Sequence, residues 1–187
     1  MNKLKIGIIG FGKMGKIRQN AIEKSERAEV VAVYDPNPIQ GGKSKMFVAN
    51  NPEEVLNFPV DAVFICTPNY LIKPLTVSAL GKGLHVFAEK PPGINVGETI
   101  VMQEEERRVK NKVLMFGFNH RHHGSVAQMK EIIESQSLGK VLWMRGRYGK
   151  EGDENYLKDW RVDPTKSGGG IMLDQGIHML DLMLYLG

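Results

Sequence analysis

At 187 residues the chain has room for one domain, or for one domain and part of another. A composition of 42% hydrophobic and 25% charged residues excludes a disordered or fibrous chain, and a single cysteine excludes an internal disulfide and points to a reducing cytoplasm. The net charge of +4 arises in residues 1–119, which hold 16 Lys/Arg against 12 Asp/Glu, while residues 120–187 hold nine of each; no basic stripe interleaved with aromatics is present, so nucleic acid is excluded as a partner.

The opening MNKLKIGIIGFG has an apolar run too short and too broken by glycine for a signal peptide. It reads instead as a strand, Leu4 to Ile9, that runs into Gly10-Phe11-Gly12-Lys13-Met14-Gly15 and then a helix to about Lys24. Valine-rich AEVVAVY at 28–34 is a second strand ending at Asp35. Strands follow at 60–66 and 84–88, with a helix over 70–82 between them. Asn95 and Glu98 form a capping-box pair for a further helix, and VLMFGF at 113–118 closes this half. Short, nearly continuous apolar strands separated by helices predict a doubly wound parallel sheet with both faces covered.

Ligands of such sheets bind beyond the carboxyl ends of the strands. The G-x-G-x-x-G at 10–15 follows a strand, opens a helix and has Asp35 twenty residues on, which makes it a dinucleotide fingerprint. Gly10 serves the turn, Gly12 the approach of a pyrophosphate to the helix N-terminus, and Gly15 the helix–strand packing. Asp35 would accept hydrogen bonds from a ribose and repel a 2′-phosphate, so NAD is preferred to NADP. Thr67-Pro68-Asn69 and Glu89-Lys90 end two further strands and face the same crevice. Cys66 reads as a packed core thiol.

The chain resembles the glucose–fructose oxidoreductase/inositol dehydrogenase superfamily, Gfo/Idh/MocA. The resemblance rests on GFGKMG at 10–15, CTPN at 66–69, AEKPPG at 88–93, GFNHR at 117–121 and WRVDPTKSGGGIMLDQGIH at 160–178. It implies an NAD-binding Rossmann domain over 1–119, and over 120–187 the start of an α+β domain with an open, mostly antiparallel sheet. It also implies an NAD-dependent dehydrogenase acting on a secondary hydroxyl of a sugar, nucleotide-sugar or cyclitol, homo-oligomeric in its full-length form. Lys90 would lie beside nicotinamide and substrate, with Asp174 and His178 in the substrate cleft. An imidazole suits the base that takes the hydroxyl proton, a lysine suits the developing oxygen charge, and an aspartate one turn earlier suits orientation of the ring. Arg121, Trp160 and Arg161 are assigned to substrate, Arg161 to a carboxylate or phosphate. Ile72 stands where family members frequently carry histidine. A non-catalytic NAD-binding sensor or assembly module is the alternative, which a Lys90→Met variant separates from an enzyme by whether there is turnover to lose.

In the second half, Ser125 to Gln128 opens a helix with a capping box and the apolar face Val126, Met129, Ile132 and Ile133, closed at Leu138-Gly139. KVLWMRGRY at 140–148 is expected as a strand, and an Asp174/His178 helix follows a polar loop at 149–170. The apolar stretch 171–186 holds Asp174, Gln175, His178 and Asp181, so it is not read as a membrane span. The i, i+4, i+7 spacing of Asp174, His178 and Asp181 and the cluster at His120, His122 and His123 are not read as metal sets, because nothing in the sequence enforces convergent geometry. Set against the family pattern, the sequence is expected to span the first half to three-fifths of a full member.

Overall fold

The computed structural model describes residues 3–39, 46–149 and 159–187. They fall into two compact units, residues 1–116 and 117–187.

The first unit is built on a six-stranded sheet in the order β3-β2-β1-β4-β5-β6, every neighbouring pair parallel. Its strands are β1 (Leu4–Ile9), β2 (Ala28–Tyr34), β3 (Phe47–Val48), β4 (Ala62–Ile65), β5 (His85–Ala88) and β6 (Leu114–Phe116), and its helices α1 (Lys13–Lys24), α2 (Pro52–Asn57), α3 (Asn69–Gly81) and α4 (Val96–Arg108). The order reverses direction between β1 and β4, and there the chain leaves a crevice at the strands' carboxyl ends.

Alternation along β1 explains how both faces are covered. Ile6 and Ile8 pack with Phe11, Ile22 of α1, Val30 and Val33, whereas Ile9 joins a larger cluster with Val55, Ile65, Ile72, Leu80 and Met102. Gly7 lies on this second face, where a Cβ would stand 2.6 Å from Val55 Cγ1, so only glycine lets α2 approach.

Two elements of this unit, β3 and α2, went unread in the sequence. β3 is two residues long, below what periodicity resolves. α2 does carry a signal: Asn51 accepts from the Glu54 N–H at 3.0 Å and Pro52 occupies the first turn. Asn95 caps α4 as expected, accepting from Glu98 N–H at 2.9 Å, but Glu98 returns its bond to Ile94 N–H rather than to the cap itself.

The second unit has helices α5 (Gly124–Glu134), α6 (Pro164–Ser167) and α7 (Ile177–Leu186), with single 3₁₀ turns at Asn119–His122 and Trp160–Val162. Three expectations are corrected here. His123, not Ser125, is the cap residue of α5, with no side-chain bond, and the helix ends at Glu134, before Leu138-Gly139. Residues 140–149 form no strand: among the described residues of this unit no neighbouring strand offers a ladder, and a strand's N–H and C=O groups need one. The segment lies instead against α7, where a Cβ on Gly146 would stand 2.9 Å from the Met183 methyl and 3.2 Å from that of Met179. The expected open antiparallel sheet is accordingly not seen among the described residues. No helix among them is long and apolar enough to cross a membrane.

Candidate functional site

In the first unit the glycine loop gathers the expected residues at the crevice. Gly10 adopts φ +90°, and a Cβ there would stand 2.5 Å from the Cys66 carbonyl oxygen, so the β1 and β4 ends close on each other through it. A Cβ on Gly15 would come within 2.3 Å of Gly10 O, which brings α1 down onto the turn. Gly12 is different. Its φ is an ordinary −73°, and a Cβ would meet only Asp35 Oδ2, at 3.9 Å. Packing does not ask for glycine at 12, since a Cβ there would face open space.

That space is suited to an anion. The N-terminus of α1 has no side-chain cap and no acid in its first turn, leaving backbone N–H groups and the positive end of the helix dipole turned outward. Lys13 and Met14 are exposed on that first turn, whereas the Phe11 side chain is buried among Ile6, Ile8 and Ile22. Phe11 thus turns its backbone, not its ring, toward the loop. Asp35 is held by an Asx turn, Oδ1 accepting from Asn37 N–H at 2.9 Å, with Oδ2 facing the glycine loop. Beside it a groove of about 390 Å³ runs between Asp35, Pro36, Asn37, Ile39, Val48 and Asn50.

From β4, Thr67 brings a buried Oγ1 that has no hydrogen-bond partner among the described residues, and buried Asn69 opens α3 behind the uncapped Pro68. A buried hydroxyl without a partner costs free energy unless a ligand meets it. Open space at Gly12, a bare helix N-terminus, an acceptor at Asp35 and this hydroxyl together fit a dinucleotide.

Glu89 does something the sequence did not disclose. Its carboxylate oxygen Oε1 accepts from Arg18 of α1, Nε and Nη2 both at 2.7 Å, and the guanidinium lies 4.8 Å from the Phe87 ring centre. Glu89 is therefore committed to α1, while Lys90 follows it into a turn through a cis bond to Pro91. Burial, and after it the Glu89 charge, push the Cys66 thiol up to about 12, with Arg18 opposing; the thiol is inert at neutral pH, as expected of a packed cysteine.

In the second unit Asp174 and His178 are both buried, but not on one regular helix. Residues Met172–Gly176 form a π turn that passes into α7, and Asp174 sits inside it. Such turns insert one residue and re-aim the side chains around them. Gly168 at φ +86° ends α6, and Gly170 at φ +57° precedes the turn. The Asp174 carboxylate accepts from Gln175 Nε2 at 2.9 Å and lies 3.5 Å from Arg161 Nε.

Arg161 is also bound at Nη1 by both oxygens of Asp159, each at 3.0 Å, and its guanidinium covers the Trp160 ring at 4.6 Å. Its charge is thus met by two carboxylates. Arg121 is likewise engaged. It donates to the buried Asp181 of α7 from Nε at 2.8 Å and from Nη2, with Phe118 and Tyr185 rings against the guanidinium.

The structure adds one residue that sequence reasoning missed. The 3₁₀ turn at Asn119–His122 turns His120 onto His178, ring centres 4.0 Å apart and planes 31° apart. Tyr148 stands 5.4 Å from His120 and 6.1 Å from His178, and Phe118 meets His178 edge-on at 6.3 Å. The HRHH stretch was visible only as a histidine cluster; nothing in its spacing foretells a contact with a residue 58 positions on. Among the described residues no group of three His, Cys, Asp or Glu converges as a metal site.

Residues 4–118 match the profile of the oxidoreductase family with an NAD-binding Rossmann fold, GFO/IDH/MocA, and residues 126–187 match the profile of a GFO/IDH/MocA C-terminal domain. Glucose-6-phosphate 3-dehydrogenase of Bacillus subtilis is 32% identical, over 97% of this chain and 53% of its own length. Among solved structures, levoglucosan dehydrogenase in complex with NADH and levoglucosan superposes with a TM-score of 0.90 at 28% identity, covering 99% of this chain and 54% of the other. Scyllo-inositol dehydrogenase from Lactobacillus casei, with bound NAD(H) and scyllo-inositol, gives a TM-score of 0.86 at 25% identity, with 99% and 56% covered. The chain spans about half the length of the curated relatives it matches.

Proposed function

This chain belongs to the GFO/IDH/MocA oxidoreductase family, and from that premise we propose that it serves NAD-dependent oxidation of a secondary hydroxyl on a sugar or cyclitol. The observation that carries the reading is Gly12: a glycine with ordinary φ and nothing but Asp35 Oδ2 within reach of a Cβ keeps space for a ligand, at a helix N-terminus, beside an acid. Gly10, Gly12 and the N–H groups of Lys13, Met14 and Gly15 would hold the pyrophosphate, Asp35 the ribose hydroxyls, and Thr67, Pro68 and Asn69 the nicotinamide half. Asp35 would repel a 2′-phosphate, which sets NAD above NADP.

When bound, NAD supplies the acceptor for the hydride leaving the substrate carbon. The chain's own residues handle the proton and the charge. His178 takes the proton from the hydroxyl oxygen as general base and gives it back in reduction. Lys90 stabilises negative charge developing on that oxygen. Asp174 supports the base from the preceding π turn, and Arg161, bound to Asp174 and Asp159, holds that carboxylate in place. With Arg161 and Arg121 both satisfied by carboxylates, a neutral sugar or cyclitol suits the second unit better than a nucleotide-linked sugar. The relatives named above are dehydrogenases of glucose-6-phosphate, levoglucosan and scyllo-inositol, which supports a sugar or cyclitol as the substrate class.

Calorimetric titration of the 187-residue chain tests the reading. NAD is expected to bind at least about tenfold more tightly than NADP, a difference of about 1.4 kcal/mol. Gly12→Val should abolish binding while leaving the urea midpoint nearly unchanged. Undiminished NAD binding by Gly12→Val would sink the assignment.

A further inference from the structure

The stacked imidazoles of His120 and His178 carry an inference that rests on the reading of His178 as the base. We propose that His120 is a positioning residue for His178, holding its ring plane by stacking and keeping it uncharged by taking the one proton the pair can bear. Ring centres 4.0 Å apart leave no room for two positive charges without strong repulsion, so the two rings titrate as a unit. Burial decides which ring takes the proton. His178 is 5% exposed, whereas His120 is half-buried on the 3₁₀ turn, so water stabilises the cation on His120 and leaves His178 neutral. A neutral imidazole is the form that can accept a hydroxyl proton.

Charged and titratable groups come toward the pair from each described element around it. From the π turn and α7 come Asp174 and Asp181, and Asp181 is neutralised by Arg121 of the 3₁₀ turn. The same turn supplies His122, and His123 follows it at the cap of α5 with its ring 5.6 Å from that of His120. The turn at Trp160–Val162 supplies Arg161, bound to Asp159 and Asp174. The segment 140–149 supplies Tyr148, uncharged at neutral pH, and α5 supplies Lys130, whose ammonium lies over the Tyr185 ring at 5.2 Å.

The test reads the rings directly and needs no substrate. In the 187-residue chain labelled at histidine, ring resonances are followed by NMR from pH 5 to 9. His120 and His178 are expected to protonate at midpoints separated by more than about one pH unit, His120 at the higher pH. In His120→Phe, which keeps a ring in the stack, and in His120→Asn, which does not, the His178 midpoint should rise by about one pH unit as the competing charge disappears. A fold lost in one variant leaves the other and the parent chain to decide. Coincident midpoints in the parent, or a His178 midpoint unmoved in a folded variant, would overturn the proposal. Separated midpoints in a chain that binds no NAD would support the coupled pair while removing the dehydrogenase reading.

Discussion

The two units of this chain are stabilised by different means. In the first, a sheet is sealed on both faces by helices, and buried hydrophobic residues run through every strand but β3 and β6. In the second, Val126 and Leu186 are the buried hydrophobic residues among those described, while Ser167, Asp174, His178 and Asp181 are buried polar ones. Large apolar side chains there lie open, Leu138 at 84%, Leu142 at 90% and Leu184 at 83% exposed. Folding of the first unit is a matter of apolar area removed from water, and its functional groups ride on the rim of that core. In the second unit the functional groups are themselves much of the interior, held by ion pairs and ring contacts. Changes at the rim of the first should therefore alter binding with little effect on stability, whereas changes at the centre of the second should alter both.

The sharpest way to break this comparison is to cut the same kind of hole in each unit. Ile65→Ala removes a side chain that is fully buried in β4 between two strands, and should cost about 2–5 kcal/mol by urea denaturation. Val126→Ala, at the edge of α5 among exposed neighbours, should cost less than about 1.5 kcal/mol. Equal losses would mean that the second unit has an apolar core after all.

An intermediate effect is expected from the ion pair at α7. Arg121→Ala leaves Asp181 buried with its counter-charge removed, but water reaches the half-exposed arginine side of the pair and softens the penalty to about 1–2 kcal/mol. Asp181→Asn in the same background should recover most of the loss, since the carboxylate charge is what was stranded; no recovery would place the contribution of Arg121 in its contacts with the Phe118 and Tyr185 rings instead.

The same contrast governs how much could be read in advance. Strands β1, β2, β4, β5 and β6 were legible to within a few residues because a buried parallel strand writes itself as a continuous apolar run between turn residues. The glycine loop was legible because glycine, strand end and acid recur at fixed offsets, and the structure gives each of Gly10, Gly12 and Gly15 a separate reason. The Arg18–Glu89 pair was not legible, since two charges 71 residues apart carry no local pattern. In the second unit local pattern misled. KVLWMRGRY has the composition of a strand, but a strand is a relation between segments, and this one rests on α7 through Gly146. Asp174 and His178 stood out by type and spacing, yet the π turn and the His120 stack depend on packing from residues far along the chain.

The smallest predicted effect lies at the boundary between fold and site in the first unit. Cys66 follows β4, and its thiol is raised from 9.0 to about 12, chiefly by burial and then by the Glu89 carboxylate. A folded-state value above the unfolded one means that the native protein holds its proton more tightly, so this contribution is fully present below pH 9 and is lost as pH rises from there toward 12. By pH 10 the unfolded chain gains about 1 kcal/mol from ionising a thiol that the native chain keeps neutral. Urea denaturation of the parent and of Cys66→Ala at pH 8 and pH 10 isolates the effect, because lysine and tyrosine titration is common to both. The parent should lose about 1 kcal/mol more than Cys66→Ala between the two pH values. An identical loss would show that the thiol ionises in the native state at its ordinary value. Water would then reach the β4 end, and the buried Thr67 hydroxyl next to it would already be solvated rather than reserved for a ligand.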